Sequence, residues 1–276
     1  MKTRIVGIYR ETEFSPGKVN ADRLIMDAVL AHLQDNGAET AAVDAAIFVG
    51  ERVPANTDAV LAMCQGSDAL AALATVEKTG TIAINSALAI RNCYRDLLGP
   101  GLINAHVPTP DGAVVSTSEP LDLSPLRRLD LHAPVYVKRG DLHALGEGDV
   151  QRVAGSMNLE KTLRRFGDRG IKVAYVQQEV PGAVMKFYGV GNSDYFAALP
   201  SDGGAAPTES LQLELARAAS AAASALGLDV WGGDAIVNEN GFAIVDFNDW
   251  PSFERVRNIA AAAISRRVIH RLESAH

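Results

Sequence analysis

The chain has 276 residues, of which 47% are hydrophobic and 21% charged, and its formal net charge at pH 7 is −7. This balance is typical of a globular protein, it excludes a disordered chain, and no apolar run is long enough to span a membrane. The acidic balance, without a Lys/Arg block longer than a pair, disfavours a nucleic-acid-binding face. An anionic nucleotide can still bind if magnesium and a few lysines supply local positive charge.

The start of the chain and its cysteines predict a cytoplasmic protein. Met-Lys-Thr-Arg is followed by a short apolar run, without the long apolar stretch and small-residue cleavage site of a signal peptide. Two cysteines, Cys64 and Cys93, are too few for a disulfide framework or a cysteine-based zinc site, so we expect two packed thiols. Assembly into a homo-oligomer is left open.

Residues 1–85 alternate between short apolar runs and helical periodicity. Strands that alternate with helices pair in parallel, so we predict a small open α/β domain with a mostly parallel sheet. Ser67 is expected to cap the second helix, and Asn85-Ser86 to open the helix that leaves the domain. No Gly-x-Gly-x-x-Gly turn supports a dinucleotide fold. The predicted elements are the strands Arg4–Tyr9, Thr40–Val43, Asp58–Met63 and Thr81–Ile84 and the helices Asn20–Leu33 and Ser67–Lys78.

The remainder begins with a segment rich in proline and glycine. Gly99 to Pro125 holds five prolines, which predicts a connecting segment with Ala113–Val115 as its only extended piece. Beyond it, we predict the strands Ala133–Lys138, Ile171–Val176, Val184–Gly189, Asp234–Val237 and Phe242–Asn248, the helices Met157–Arg165, Leu211–Leu226 and Arg257–Glu273, and loops at Arg139–Gly148 and 200–207.

The most informative motif is a hairpin with acidic residues. Asp246 and Asn248 are two apart on a strand, so alternation sends both side chains to one face, and the turn Asn238-Glu-Asn-Gly lets Asp234 on the partner strand converge there. Three hard oxygen ligands without His or Cys suit Mg²⁺, with Mn²⁺ as an alternative. Solvated acids at a surface turn are the competing interpretation, which the apolar run leading into Asp246 weakens.

Two lysines and a polar strand end accompany this hairpin. Lys138 ends a strand before a glycine-containing loop, where it can reach a polyphosphate, and Lys186 interrupts an apolar strand. For each lysine taken alone, a surface residue with its charge in solvent is the more common explanation. The apolar strand that ends in Gln177, Gln178 and Glu179 offers hydrogen bonds to a flat heterocycle. The order of these features is too specific to be coincidence.

That order resembles the ATP-grasp superfamily, especially its glutathione-synthetase-like and ribosomal-protein-modification ligases and inositol-polyphosphate-kinase-like members. The resemblance covers residues 85–265. It implies an α/β domain at 1–85, followed by α+β ATP-grasp lobes at 86–182 and 183–276 that hold ATP between them.

The resemblance also implies roles for individual residues. Lys138 would contact the α- and β-phosphates, and Lys186 would lie near the nucleotide. Asp234, Asp246 and Asn248 would hold the metal ions. Arg95 stands where the family often has its first phosphate-binding lysine. The adenine hinge would consist of Gln177, Gln178 and the backbone of Val180.

Two departures from the family pattern concern nucleotide use. Val184 occupies the place where many members have a glutamate for the ribose, so the ribose contact would come from elsewhere, for example from Glu179. The phosphate loop is also less glycine-rich than in many relatives. A non-catalytic nucleotide-binding module therefore remains one alternative, and a small-molecule kinase, in which a hydroxyl attacks the γ-phosphate directly, is another.

The leading hypothesis is a carbon–nitrogen ligase that forms an acyl-phosphate from a small-molecule or peptide carboxylate, with an amine or thiol as the second substrate. Arg255 and Arg257, just after the metal strand, are candidates to stabilise the acyl-phosphate, with solvated helix-start residues as the alternative reading. Position alone suggests Arg10, Glu11 and Ser15 for the substrate pocket.

Overall fold

The computed structural model describes residues 2–51, 53–54 and 56–275. Within this part the strands are β1 Arg4–Tyr9, β2 Glu39–Asp44, β3 Ala59–Ala62, β4 Ile82–Ile84, β5 Gly112–Ser116, β6 Val135–Arg139, β7 Val150–Val153, β8 Val173–Gln178, β9 Ala183–Val190, β10 Tyr195–Pro200, β11 Val230–Asn238 and β12 Gly241–Asp249. The helices are α1 Val19–Asp35, α2 Ala45–Gly50, α3 Ser67–Glu77, α4 Ala87–Asn92, α5 Arg95–Asn104, α6 Ser156–Asp168, α7 Glu209–Leu226 and α8 Arg257–Glu273. None of the helices described here is long and apolar enough to cross a lipid bilayer.

The first sheet confirms the predicted parallel α/β pattern. Its strands have the order β2-β1-β3-β4, and every neighbouring pair is parallel. Strand β1 is central and buried because its apolar run Ile5 to Ile8 is covered on both faces, as parallel sheets require. The last helix, α8, packs against α1. Buried residues of α8 therefore belong to the same hydrophobic core as β1 and α1.

Two antiparallel sheets follow, which confirms the predicted α+β pattern. One has the order β5-β8-β6-β7 and carries α6 on one face; the other has the order β10-β9-β11-β12 and carries α7. The apolar residues of each strand face the helix by period-two alternation, so the intervening residues point to the opposite face. The division into units at residues 85 and 182 stays a prediction.

The expected cap of α3 was wrong. The N-cap is Gly66, and no side chain of α3 caps the helix. Glu11 takes this role from a distance of over fifty residues, since its two carboxylate oxygens accept the backbone N–H groups of Gln65 and Gly66 at 2.9 and 3.0 Å. These N–H groups belong to the N-cap residue and the residue before it, and a carboxylate at this end of a helix is also favoured by the helix dipole.

The prediction of a connecting segment at Gly99 to Pro125 was wrong at its start, where the chain is helical. Helix α5 extends to Asn104 and contains Pro100, while β5 lies where the extended piece was expected. A Cβ at Gly99 would stand 2.3 Å from the ring of Tyr175, so this glycine allows close packing rather than marking a loop. The sequence interpretation also missed α2, β7 and β10.

One partly buried arginine joins the first sheet to the end of β12. Arg10 follows β1 and donates to the carbonyl oxygens of Met63, Asp249 and Trp250 at 3.1, 3.2 and 2.9 Å, and it pairs with Asp22 at 3.3 Å. The carboxyl end of the parallel sheet is therefore fixed against the hairpin that carries the predicted metal ligands.

Candidate active site

Three predicted site residues lie in one row across the third sheet. Lys186 on β9 is directly opposite Asp234 on β11, which is directly opposite Asp246 on β12. The Lys186 ammonium lies 2.9 Å from Asp234 Oδ1. Because directly opposed residues of an antiparallel ladder share a face, the sheet brings a cation and two carboxylates together.

Arg95 reaches this row from the start of α5. Its Nη2 lies 2.7 Å from Asp246 Oδ2, and the guanidinium is buried. Burial alone would raise the pKa of Asp246, but the charges of Arg95, Lys138 and His143 outweigh it and lower the pKa to about 2. Asp246 is therefore a carboxylate at neutral pH, the form that binds a metal ion.

Lys138 approaches the row from the second sheet. A β-bulge between Asp234 and Ala235 leaves Val245 outside the regular register, and Lys138 Nζ donates to its carbonyl oxygen at 2.7 Å. Burial, followed by the positive charge of Arg95, lowers the pKa of Lys138 from 10.5 to about 8, although Asp246 and Asp234 act in the opposite direction. Because burial disfavours the charged form of Lys138 even beside two carboxylates, a further anion at this place would stabilise the ammonium.

Asn248 and Arg255 line a pocket that also includes Asp234 and Lys186. The predicted metal ligands thus comprise two carboxylates and one amide, and no group of three or more His, Cys, Asp or Glu side chains forms a metal cluster within the residues described. Arg255 Nη1 donates to the carbonyl of Pro200 at 2.6 Å. Arg257 begins α8, and its Nε is buried without a partner in the described part of the chain.

The predicted hinge joins the second and third sheets. Gln177 is buried on β8 and faces the same side as Lys138 by alternation. The Gln178 amide donates to the Pro134 carbonyl at 3.1 Å, and Glu179 is held by two hydrogen bonds from Arg152, at 2.7 and 2.8 Å.

Val180 lies between β8 and β9, and its backbone makes no hydrogen bond to another described residue. A free backbone edge of this kind is available to an adenine ring. Glu179 would have to leave Arg152 before contacting a ribose, and Val184 is exposed at the start of β9.

The fold was compared with solved structures. A D-alanine–D-alanine ligase from Bacillus anthracis superposes with a TM-score of 0.75 at 13% identity, covering 99% of this chain and 100% of the ligase, and the same enzyme complexed with ATP matches equally. A RimK domain ATP-grasp protein from Sphaerobacter thermophilus and the D-cycloserine synthetase DcsG each give 0.70, at 18% and 16% identity, covering 97% of this chain and 100% and 99% of theirs. The chain has the ATP-grasp fold. No family model matches the sequence, and no curated protein matches it either.

The sequence interpretation missed a buried contact made by the loop between β6 and β7. His143 Nε2 lies 3.3 Å from Asp249 Oδ1, and the Gln65 amide donates to the same oxygen at 2.9 Å. Tyr94 packs edge-on against the His143 ring and donates its hydroxyl hydrogen to the Gln65 carbonyl. The available signal was Asp249 itself, a carboxylate that alternation places on the buried face beside Phe247.

The residues suggested for the substrate by position alone are used internally. Arg10 binds four groups of the protein, Glu11 caps α3, and the Ser15 hydroxyl donates to Asp22 at 2.5 Å. All three make contacts within the protein at the carboxyl end of the first sheet.

Proposed function

We propose that this chain is an ATP-dependent ligase that joins a small-molecule carboxylate to an amine or thiol through an acyl-phosphate. The observation that carries this proposal is the row of Lys186, Asp234 and Asp246, joined by Arg95 and Lys138, in a fold that is also found in ligases. Their cations and carboxylates form a compact site of mixed charge, which suits a metal–polyphosphate complex.

The donors in this row fit Mg²⁺, and also Mn²⁺. Asp234, Asp246 and Asn248 offer hard oxygen atoms, and the low pKa of Asp246 keeps it ionised. Bound there, the metal would neutralise the phosphate charge during transfer. Lys186 and Arg95 would exchange their carboxylate partners for phosphate oxygens.

The nucleotide would lie between the second and third sheets. Lys138 and Arg95 would contact the phosphates together with Lys186, and the backbone of Val180 with Gln177 and Gln178 would receive the adenine. Glu179 remains a candidate for the ribose. We propose a cytoplasmic site of action, because Cys64 and Cys93 are buried free thiols and ATP is supplied in that reducing compartment.

The proposed chemistry has two balanced steps. A substrate carboxylate oxygen attacks the γ-phosphorus of ATP, and ADP leaves. The amine then attacks the acyl carbon, loses a proton and expels inorganic phosphate. Lys138 would stabilise the charge on the transferred phosphoryl group, and Arg255 would hold an oxygen of the acyl-phosphate, since charge-assisted bonds to phosphate are strong.

The decisive experiment follows an oxygen atom. The carboxylate oxygen that attacks phosphorus stays bonded to it, so a ¹⁸O-labelled carboxylate incubated with ATP and amine should give labelled inorganic phosphate. A phosphoryl group retained on an organic product would replace the ligase with a kinase. Tight ATP binding without ADP formation for any substrate would favour a non-catalytic module.

The metal site is tested with a matched pair of variants. Asn248→Ala should reduce turnover about a hundredfold, as expected when one group that stabilises the transferred charge is lost, while the circular dichroism spectrum and melting temperature stay near those of the wild type. Asn240→Ala, in the exposed turn of the same hairpin, is the control and should leave turnover unchanged. Full activity of folded Asn248→Ala would remove this residue from the metal site.

A further inference from the structure

A small pocket adjoins the predicted metal ligands. It has a volume of about 230 Å³ and lies between the residues that precede α1, the third sheet and the segment that follows β12. Pockets for drug-sized ligands measure about 300–1,000 Å³, so this one suits a smaller molecule. The charged residues that line it are Lys18, Lys186, Asp234, Glu254 and Arg255, and Asn248 lies beside them.

Positive side chains outnumber negative ones around this pocket. Lys186 is paired with Asp234, and Lys18 is paired with Glu254, each at 2.9 Å. Arg255 forms no ion pair within the residues described and is held only by the Pro200 carbonyl. The pocket therefore carries one uncompensated positive charge, that of Arg255.

The pair of Lys18 and Glu254 is easily exchanged. Both side chains are more than half exposed, and an ion pair between exposed side chains contributes little to stability because solvent screens it. An anionic group of a ligand can therefore replace Glu254 at little cost. Lys18 would then bind a part of the ligand other than the carboxylate that reacts beside the metal.

The segment that follows β12 and forms the far wall is anchored in the core by two buried aromatic residues. Trp250 and Phe253 are fully buried and have positive φ angles of 39° and 48°. Large L-residues rarely adopt this conformation, and such backbone strain persists where the surroundings fix it, often at functional sites. Arg10 contributes by donating to the Trp250 carbonyl at 2.9 Å.

We infer that this pocket selects a small dicarboxylate, whose reacting carboxylate faces Arg255 and the metal ligands while its second carboxylate meets Lys18. The inference rests on the proposed function, because it assigns the carboxylate substrate that would accept the phosphoryl group at the same site. The restricted volume disfavours a peptide as the substrate. A molecule with one carboxylate would leave Lys18 unused, whereas the second carboxylate of a dicarboxylate can replace Glu254 as its partner.

Isothermal titration calorimetry with three probes tests this assignment. Succinate, glutarate and butyrate are titrated into the full chain with Mg²⁺, with and without a non-hydrolysable ATP analogue. We expect one of the dicarboxylates to bind at least about tenfold more tightly than butyrate, as an added charge-assisted hydrogen bond allows. Lys18→Gln should remove this preference and leave the affinity for butyrate unchanged.

Two further variants separate binding from a structural effect. Glu254→Gln removes the competing carboxylate and should strengthen dicarboxylate binding, whereas a merely structural ion pair would make Lys18→Gln and Glu254→Gln behave alike. Lys78→Gln, an exposed lysine at the end of α3, is the matched control.

The outcomes distinguish this inference from the proposed function. Equal affinity for butyrate and both dicarboxylates, or an unchanged preference in Lys18→Gln, overturns the dicarboxylate assignment. Lys18-dependent dicarboxylate binding by a chain that does not bind the ATP analogue supports the assignment and overturns the ATP-dependent ligase.

Discussion

Arg95 Nη2 and Asp246 Oδ2 lie 2.7 Å apart, although 151 residues separate them along the chain. The remaining guanidinium nitrogens of Arg95, Nε and Nη1, are buried without a partner in the described part of the protein. Leaving buried donors unsatisfied is costly, so the guanidinium is held with spare capacity for an acceptor. This arrangement has consequences for stability as well as for binding.

The first prediction concerns acid unfolding. The folded pKa of Asp246 is lowered from 3.8 to about 2, so its contribution is complete above the unfolded pKa and is lost as the pH falls from about 4 to 2. The size of this contribution is about 2 kcal/mol. Urea unfolding at pH 6, 4, 3 and 2 should show that Asp246→Asn lacks this part of the pH dependence.

The control for this experiment lies in the same hairpin. Glu239 is exposed at the turn, so Glu239→Gln should follow the wild-type curve throughout. If Asp246→Asn loses free energy of unfolding between pH 4 and pH 2 as steeply as the wild type, the ion pair with Arg95 does not hold the pKa of Asp246 down.

The second prediction is that Lys138→Met stabilises the protein and weakens ATP binding. A pKa lowered from 10.5 to about 8 means that the folded state disfavours the charged lysine, by about 3 kcal/mol at neutral pH. Methionine removes this penalty, although the Val245 carbonyl loses a hydrogen bond worth about 1 kcal/mol. We expect a net gain of about 1–2 kcal/mol in the free energy of unfolding at pH 7.

The pH dependence gives the prediction its sign. Between pH 8 and 10.5 the unfolded chain binds more protons at this lysine than the folded chain, so wild-type stability rises with pH there and that of Lys138→Met does not. Lys172→Met, at an exposed site next to β8, is the control. Destabilisation by Lys138→Met at pH 7, or unchanged ATP affinity, would contradict this view of Lys138.

The third prediction concerns the loop between β6 and β7. Removing the imidazole in His143→Ala leaves Asp249 with the Gln65 amide and with Arg10, 3.9 Å away. The loss of a partner from a buried carboxylate should cost about 1–3 kcal/mol. Hydrogen exchange should accelerate across residues 140–148, while the exposed control His132→Ala should leave that segment unchanged. Equal exchange in both variants would show that the contact does not hold the loop.

Sequence reasoning reached the parts of the site that depend on local periodicity. Asp246 and Asn248 fall on one face because strands alternate, and Asp234 joins them because a recognisable turn closes the hairpin. The same reasoning recovered the parallel first sheet and all three long helices at residues 19–35, 209–226 and 257–273.

Features that depend on tertiary packing were out of reach. The bulge at Val245, which gives Lys138 its partner, has no local signal in an apolar run. Gly99 and Pro100 indicate a loop locally, but contact with Tyr175 and burial of Leu98 stabilise a helix there. The pairing of His143 with Asp249 depends on how two distant segments meet. Hydrophobic periodicity and secondary-structure propensity carry no information on that contact.

The last prediction tests where the nucleotide binds. The backbone of Val180 has no hydrogen-bond partner in the described chain, and it lies between the strand that presents Gln177 and the strand that presents Lys186. Unprotected amides of such a connection exchange rapidly, and a bound adenine that accepts from the Val180 N–H should slow exchange there at least about tenfold, the effect of about 1.4 kcal/mol. Hydrogen exchange with Mg-ATP should therefore protect residues 177–182, and the effect should vanish in Lys138→Met if the phosphates supply most of the affinity. Gly182→Ala is a further probe of the hinge. Gly182 has a φ of 156°, and a Cβ there would stand 2.4 Å from the Val237 carbonyl oxygen. The variant should therefore displace the hinge without changing any charged group. Protection confined to residues 2–51 and 56–85 would mean that the nucleotide binds at the first sheet instead.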